Sequence, residues 1–143
     1  MPPTPEPQNA ARSLRARDAS ADTFGIELVT SAPDRAVASM QVRSDMCNGF
    51  GILHGGMTFL LADSAMAFAS NAEEGMALAS SAEIDWLAPV SAGDVLTATA
   101  ERRWSSSRSA LWDVSVTNRS GELVAIVRGR TRQTAGQANS EPR

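Results

Sequence analysis

The stretch GILHGGMTFLLADSAMAFASN, residues 51–71, decides the fold. From His54 onward it consists of good helix formers, and it predicts one long helix from His54 to about Asn71. Apolar side chains lie on nearly every face of this helix, so other elements must wrap it on most sides. After His54 the stretch carries a single charged side chain, Asp63.

The sequence on either side of the helix alternates apolar and polar residues, as strands do. Before the helix, FGIELVTS and RAVASMQVRS flank a turn at Ala32–Asp34, which predicts a hairpin. After it come MALASSAEIDWL, DVLTATAERRW, SALWDVSVTN and ELVAIVRGRTRQ. Their short links predict a four-strand antiparallel meander. The predicted fold class is α+β, a curved antiparallel sheet wrapped around one long central helix.

The chain has 143 residues, the size of one domain, and shows no internal repeat. Residues 1–22 are predicted to be a mobile tail that contains one candidate short helix, NAARSLRARDA. Residues 23–134 are predicted to form the folded domain. Residues 135–143 are predicted to be a disordered C-terminal tail.

Composition excludes several function classes. The net charge of -3 disfavours non-specific nucleic-acid binding, and no apolar run is long enough to cross a membrane. The start of the chain lacks the charged segment followed by an apolar segment that is typical of a secretory signal. The single Cys47 cannot form an internal disulfide. We therefore expect a cytoplasmic protein. All 13 basic residues are arginine, which excludes chemistry that needs a lysine amine.

Asp63 and the glycines at the helix start are the candidates for chemistry. An ionised carboxylate inside an apolar helix costs roughly several kcal/mol unless it is paired or hydrogen-bonded. Gly55 and Gly56 leave the first N–H groups open at the positive end of the helix, which suits a carbonyl or oxyanion. The alternatives are a packing role for Asp63 and a loop that needs glycine for its backbone angles.

The spacing of these groups makes a geometric demand. Asp63 is eight residues past Gly55, which places the two about 12 Å apart along one helix. One chain cannot hold both against the same carbonyl. If they act together, two copies of the helix must pack antiparallel across a two-fold axis, with two sites per dimer.

Three motifs, NGFGILHGG, the helix with Asp63, and IDWLAPVSAGD, carry a family resemblance. From Phe24 to about Gln133 the sequence resembles the hotdog-fold acyl-CoA thioesterases, most closely the branch that includes phenylacetyl-CoA thioesterases. The resemblance implies a hotdog fold and hydrolysis of an aryl-acyl-CoA, such as phenylacetyl-CoA or hydroxyphenylacetyl-CoA, in phenylacetate degradation. It also implies a homodimer with shared active sites that pairs into a homotetramer.

The resemblance also implies residue roles. The Gly55 amide would bind the thioester carbonyl, and Asn48 would help to hold the carbonyl or a water. Asp63 of the opposite subunit would act as general base or nucleophile. His54 would mainly orient the loop, or would be a structural histidine.

A second group of residues is implied to contact the substrate. Gly56, next to Gly55, is one of them. Ser80 or Ser81 would place a hydroxyl near Asp63. Because side chains alternate along a strand, only one of the two serines can point inward. Arginine forks bind the phosphates of coenzyme A well. The candidates are Arg102, Arg103, Arg108, Arg128 and Arg130, with Arg132 on the same strand face as the last two. A charged sheet edge that discourages aggregation is the alternative.

No metal and no separate cofactor are expected, since coenzyme A is part of the substrate and one His with one Cys cannot form a multi-ligand site. Two other functions stay open: a non-catalytic acyl-CoA sensor, which Asp63 argues against, and a hydratase or dehydratase, which the single His argues against. The acyl group is not identified. Five residues could either line a pocket for an aromatic acyl group or pack in the hydrophobic core: Met57, Phe59, Met66, Trp86 and Trp112.

Overall fold

The computed structural model describes residues 8–73 and 75–134. Its helices are α1 (Gln8–Ala16), α2 (Ala19–Phe24) and α3 (Gly55–Ser70), with a short 3-10 turn at Ser44–Met46. Its strands are β1 (Ile26–Ala32), β2 (Arg35–Gln41), β3 (Ala77–Trp86), β4 (Val95–Ser105), β5 (Ser109–Thr117) and β6 (Leu123–Gln133). The predicted long helix and all six predicted strands are confirmed. None of the described helices has the length and apolar character needed to span a bilayer.

The six strands form one antiparallel sheet in the order β1-β2-β4-β5-β6-β3. The predicted meander is therefore wrong at β3, which pairs with β6 at the far edge, while β4 pairs with β2. The link between β3 and β4, residues 87–94, is not a tight turn. It contacts β6 at one end and the residue that follows β2 at the other. Its Leu87 N–H donates to the Val124 carbonyl, and its Gly93 N–H donates to the Val42 carbonyl, each at 2.8 Å.

Helix α3 contacts all six strands, as its apolar circumference predicted. Leu61, Ala65 and Phe68 are among its fully buried side chains. The helix approaches β6 closely at Gly129, where a Cβ atom would overlap the Met66 side chain. A side chain at that position would therefore have to displace the end of the Met66 side chain.

The candidate short helix of the N-terminal segment is confirmed as α1, but the segment packs on the protein rather than forming a tail. Helices α1 and α2 pack on the body of the protein, and Ala11 and Ala21 are completely buried. Leu14 and Phe24 also pack against the core. The boundary expected at residue 23 therefore lies inside α2. The remaining parts of the predicted tails, residues 1–7 and 135–143, lie outside the described residues.

Strand β3 forms one edge of the sheet, with β6 as its only neighbour among the described strands. Nearly all of its residues are exposed, including Leu78 and Trp86, which are 54% and 55% exposed. A long exposed edge with apolar side chains is a ready template for pairing with another strand.

Candidate active site

A cavity of about 480 Å³ opens beside the start of α3 and is called here the helix-start cavity. Ligand pockets typically have volumes of about 300–1,000 Å³. Its lining includes Asn48, Gly55, Thr58, Trp86 and Pro89. Two residues that the sequence singled out, Asn48 and Gly55, thus lie at the same cavity.

The first turn of α3 leaves two backbone donors open. The His54 carbonyl accepts hydrogen bonds from the N–H groups of Met57 (3.0 Å) and Thr58 (3.4 Å). For the N–H groups of Gly55 and Gly56, no acceptor occurs within residues 8–73 and 75–134. These donors lie at the positive end of the helix, where they can polarise a carbonyl oxygen.

Asn48 is held by its own loop. Its side-chain oxygen Oδ1 accepts hydrogen bonds from the N–H groups of Phe50 (2.9 Å) and Ile52 (3.4 Å). The side-chain Nδ2 has no hydrogen-bond partner in the described part of the chain. Because its oxygen is used internally, Asn48 presents an amide donor, which suits a carbonyl oxygen or a water.

His54 lies immediately before α3, and its side chain is exposed. Its backbone N–H donates to the Met46 carbonyl at 3.1 Å, which ties the start of the helix to the preceding loop. The imidazole makes no hydrogen bond to the described residues. The implied orienting role of the side chain stays a prediction.

Asp63 lies on the same helix but is absent from the lining of the helix-start cavity. It is half-buried, and its carboxylate has no hydrogen bond or ion pair with the described residues. Burial, and secondarily the negative charge of Asp18, raise the pKa of Asp63 above its usual value. A raised pKa makes the ionised carboxylate a stronger base. Asp18, the capping residue of α2, lies too far away in sequence to have been predicted as a neighbour.

A second cavity, of about 230 Å³, lies at the other end of α3 and is called here the helix-end cavity. Its lining includes Arg102, Arg108, Ser70, Ala77 and Gln133. Within the described residues, neither arginine forms an ion pair with an acid. Both guanidinium groups are therefore available to an anionic ligand.

The other candidate arginines lie elsewhere. Arg128 and Arg103 both bind the carboxylate of Asp113, at 2.8 and 3.2 Å. The hydrogen bond from Arg128 is the main reason that the pKa of Asp113 is lowered. Arg130 is exposed opposite Ser81. The five candidates thus do not form one cluster.

A β-bulge at Ser80 interrupts the pairing of β3 with β6. The Ser80 hydroxyl donates to the Arg130 carbonyl at 3.3 Å. The next residues restart the alternation: Ala82 is opposite Gly129, which faces α3, so Ser81 faces away from the helix. Neither serine lines either cavity.

Comparison with known proteins identifies the family. Residues 50–125 match the family model described as Thioesterase superfamily. This chain belongs to the thioesterase superfamily. The thioesterase is 37% identical to the acyl-coenzyme A thioesterase PaaI of Escherichia coli (strain K12) over 131 residues, which are 92% of this chain and 94% of that protein. It is 32% identical to a 1,4-dihydroxy-2-naphthoyl-CoA hydrolase of Listeria monocytogenes, covering 75% of this chain and 89% of that protein.

A solved structure agrees with this assignment. The E. coli PaaI protein from the phenylacetic acid degradation operon superposes on the thioesterase with a TM-score of 0.89 and 36% identity. The match covers 91% of this chain and 94% of that one. The predicted α+β hotdog fold and the predicted enzyme class, a thioester hydrolase, are confirmed.

Proposed function

We propose that this thioesterase hydrolyses an aryl-acyl-CoA, such as phenylacetyl-CoA or hydroxyphenylacetyl-CoA, to the free acid and coenzyme A in phenylacetate degradation in the cytoplasm. The observation that carries the proposal is the helix-start cavity, in which an Asn48 amide donor and the Gly55 N–H meet an apolar wall. The names of the E. coli and Listeria relatives support an acyl-CoA substrate, and the second supports an aromatic acyl group.

In this reaction the Gly55 N–H polarises the thioester carbonyl, and Asn48 holds the carbonyl oxygen or the attacking water. Asp63 removes a proton from water, or attacks the carbonyl carbon directly. With water as nucleophile, a carbon–oxygen bond forms, the carbon–sulfur bond breaks, and coenzyme A leaves as a thiolate. With Asp63 as nucleophile, the same bond breaks as a mixed anhydride with Asp63 forms, and water then cleaves the anhydride to the free acid and the Asp63 carboxylate. No step requires a metal ion.

A second copy of the chain would bring these groups together. Asp63 and Gly55 share one helix about 12 Å apart, and only Gly55 lines the helix-start cavity. Strand β3 supplies the edge for a two-fold dimer. It runs from Ala77, at the helix-end cavity, to Trp86, at the helix-start cavity. Antiparallel pairing of two β3 strands therefore places the Ala77 end of one copy beside the Trp86 end of the other.

Each active site of such a dimer combines Gly55 and Asn48 of one subunit with Asp63 of the other. The same symmetry brings the helix-end cavity of the second subunit next to the site. From Asp63 to Ser70 at that cavity is about 10 Å along the helix, a span that the pantetheine arm of coenzyme A can bridge. Arg102 and Arg108 are thus the arginines best placed for the coenzyme A phosphates. Two such dimers would pair into the proposed homotetramer.

Release of thiol from acyl-CoA esters tests the function. Thiol release is followed with a thiol reagent. We expect kcat/KM for phenylacetyl-CoA to be at least about tenfold higher than for acetyl-CoA and palmitoyl-CoA, because differences in pocket fit typically change kcat/KM by a factor of about ten or more. Faster hydrolysis of either aliphatic ester would contradict the aryl assignment. Binding of phenylacetyl-CoA without thiol release would identify a sensor instead.

Arg102→Gln and Arg108→Gln test the proposed phosphate contacts. Each should raise KM for phenylacetyl-CoA about tenfold with little change in kcat, because a charge-assisted hydrogen bond is lost. Hydrolysis of the N-acetylcysteamine thioester of phenylacetate, which lacks phosphates, should not change. Arg35→Gln is the matched control, since Arg35 is exposed and lines neither cavity. Equal losses on both substrates would rule out a phosphate contact.

A further inference from the structure

Trp86, the last residue of β3, is in direct contact with the start of α3. Its indole N–H donates a hydrogen bond to the Gly55 carbonyl at 3.1 Å. A Cβ atom placed on Gly55 would lie 2.8 Å from two atoms of the same ring. Gly55 does not have a positive φ. A side chain at position 55 would therefore have to displace the indole.

The hydrogen bond from Trp86 contacts one peptide plane at the helix start. The Gly55 carbonyl and the Gly56 N–H belong to the same peptide group, which is planar. Gly55 is the first residue of α3, so the helix already directs its carbonyl toward the next turn, and the indole adds a second donor to it. A residue of the sheet thus reinforces the direction of one of the two open donors.

Trp86 is also the aromatic side chain that faces the substrate space. Of the five residues that could line an aromatic pocket, Met66 and Trp112 are buried in the core, and Met57 and Phe59 pack against it. Trp86 is 55% exposed and lines the helix-start cavity. The neighbouring wall is apolar and includes Leu87, Pro89 and Val124.

We propose that Trp86 is the specificity-determining residue of this thioesterase: its ring is the surface against which an aromatic acyl group packs, and its N–H holds the helix start in place. The inference rests on the proposed function, since it assumes that the thioester carbonyl binds at Gly55. Aromatic rings favour offset-stacked or edge-to-face contacts with an indole, which a straight aliphatic chain cannot reproduce. Trp86 therefore favours aryl-acyl over alkyl-acyl substrates.

Substitutions at Trp86 separate this role from a structural one. In Trp86→Leu, the ratio of kcat/KM for phenylacetyl-CoA to that for hexanoyl-CoA should fall about tenfold, a typical size for a change of pocket shape. Trp86→Phe keeps a ring and should retain the ratio within about threefold. Trp104→Leu is the matched control, because Trp104 is similarly exposed at 48% but lines neither cavity. Its ratio should not change.

A binding measurement gives a second readout that does not depend on hydrolysis. Phenethyl-CoA, a thioether that cannot be hydrolysed, should quench tryptophan fluorescence in the wild type and in Trp104→Leu. The quenching should be largely lost in Trp86→Phe. If the wild type releases no thiol from phenylacetyl-CoA, the proposed function fails, whereas this titration still tests the contact with Trp86.

Three results would overturn the inference. An equal loss of kcat/KM on both substrates in Trp86→Leu would show that the ring does not discriminate between acyl groups. Unchanged specificity together with dissociation of the dimer in size-exclusion chromatography would assign Trp86 to the subunit interface. Quenching that persists in Trp86→Phe would likewise place the acyl group elsewhere.

Discussion

Asp63→Asn should lower the turnover of phenylacetyl-CoA by at least about 100-fold, the usual loss when a general base is removed. Asparagine has nearly the same size, so the packing of α3 is kept while the proton acceptor or nucleophile is lost. Thiol release under saturating substrate measures the effect. Asp34→Asn, in the exposed turn between β1 and β2, is the control and should hydrolyse at the wild-type rate. Near-normal turnover by Asp63→Asn would remove Asp63 from the mechanism.

The same variant should be at least as stable as the wild type at neutral pH. Burial and the charge of Asp18 raise the pKa of Asp63, so the native state binds this proton more tightly than the unfolded state. Between the usual and the raised pKa, the free energy of unfolding therefore falls as pH rises, and the full cost is present above the raised pKa. Asparagine carries no charge and so lacks this pH-dependent cost.

Thermal melts at two pH values measure this cost. The Tm of Asp63→Asn should equal or exceed that of the wild type at pH 7.5, and the difference should shrink as pH is lowered toward the usual pKa of an aspartate. Loss of activity with retained stability is the signature of a group kept for function. A clear drop in Tm at pH 7.5 would instead show that Asp63 supports the fold.

The helix and the strands could be predicted because their signals are local. Helix α3 is one long run of helix formers, and each strand alternates over its own length. The place of β3 in the sheet could not be predicted, since a link as long as 87–94 does not restrict a strand to the neighbour that follows it. Buried alanines such as Ala11 gave no signal either, because a small side chain contributes little to a hydrophobic pattern.

The motif around the helix start predicted that Asn48 and Gly55 belong together, and both line the helix-start cavity. The distribution of the arginines was not predicted. The regular register of β4 places Arg102 opposite the buried Trp112, whereas Arg103 lies at a bulge and binds Asp113 on the outer face. A second bulge, at Ser80, removes the alternation from which an inward serine was expected. Bulges depend on the partner strand, so the sequence of one strand does not reveal them. The contact between Trp86 and Gly55 likewise joins distant segments.

Mixing two inactive variants should restore activity if the sites are shared between subunits. Asp63→Asn keeps the Gly55 donor, and Gly55→Pro keeps the carboxylate but removes the donor. Proline is tolerated at the first position of a helix, which is where Gly55 lies. Its ring would also displace Trp86, whose indole approaches Gly55 too closely for a side chain. Each variant alone should therefore be inactive while still able to pair through β3.

In a mixed dimer, one site combines the intact Gly55 of the first variant with the intact Asp63 of the second, and the other site carries both defects. Random exchange of equal amounts makes half of the dimers mixed, so activity should rise from near zero to about a quarter of the wild-type value. The proportion of mixed dimers is measured by native mass spectrometry with one variant isotopically labelled. If mixed dimers form and no activity returns, each chain must build its site alone. The distance of about 12 Å between the two groups on one helix would then have to be bridged by the substrate.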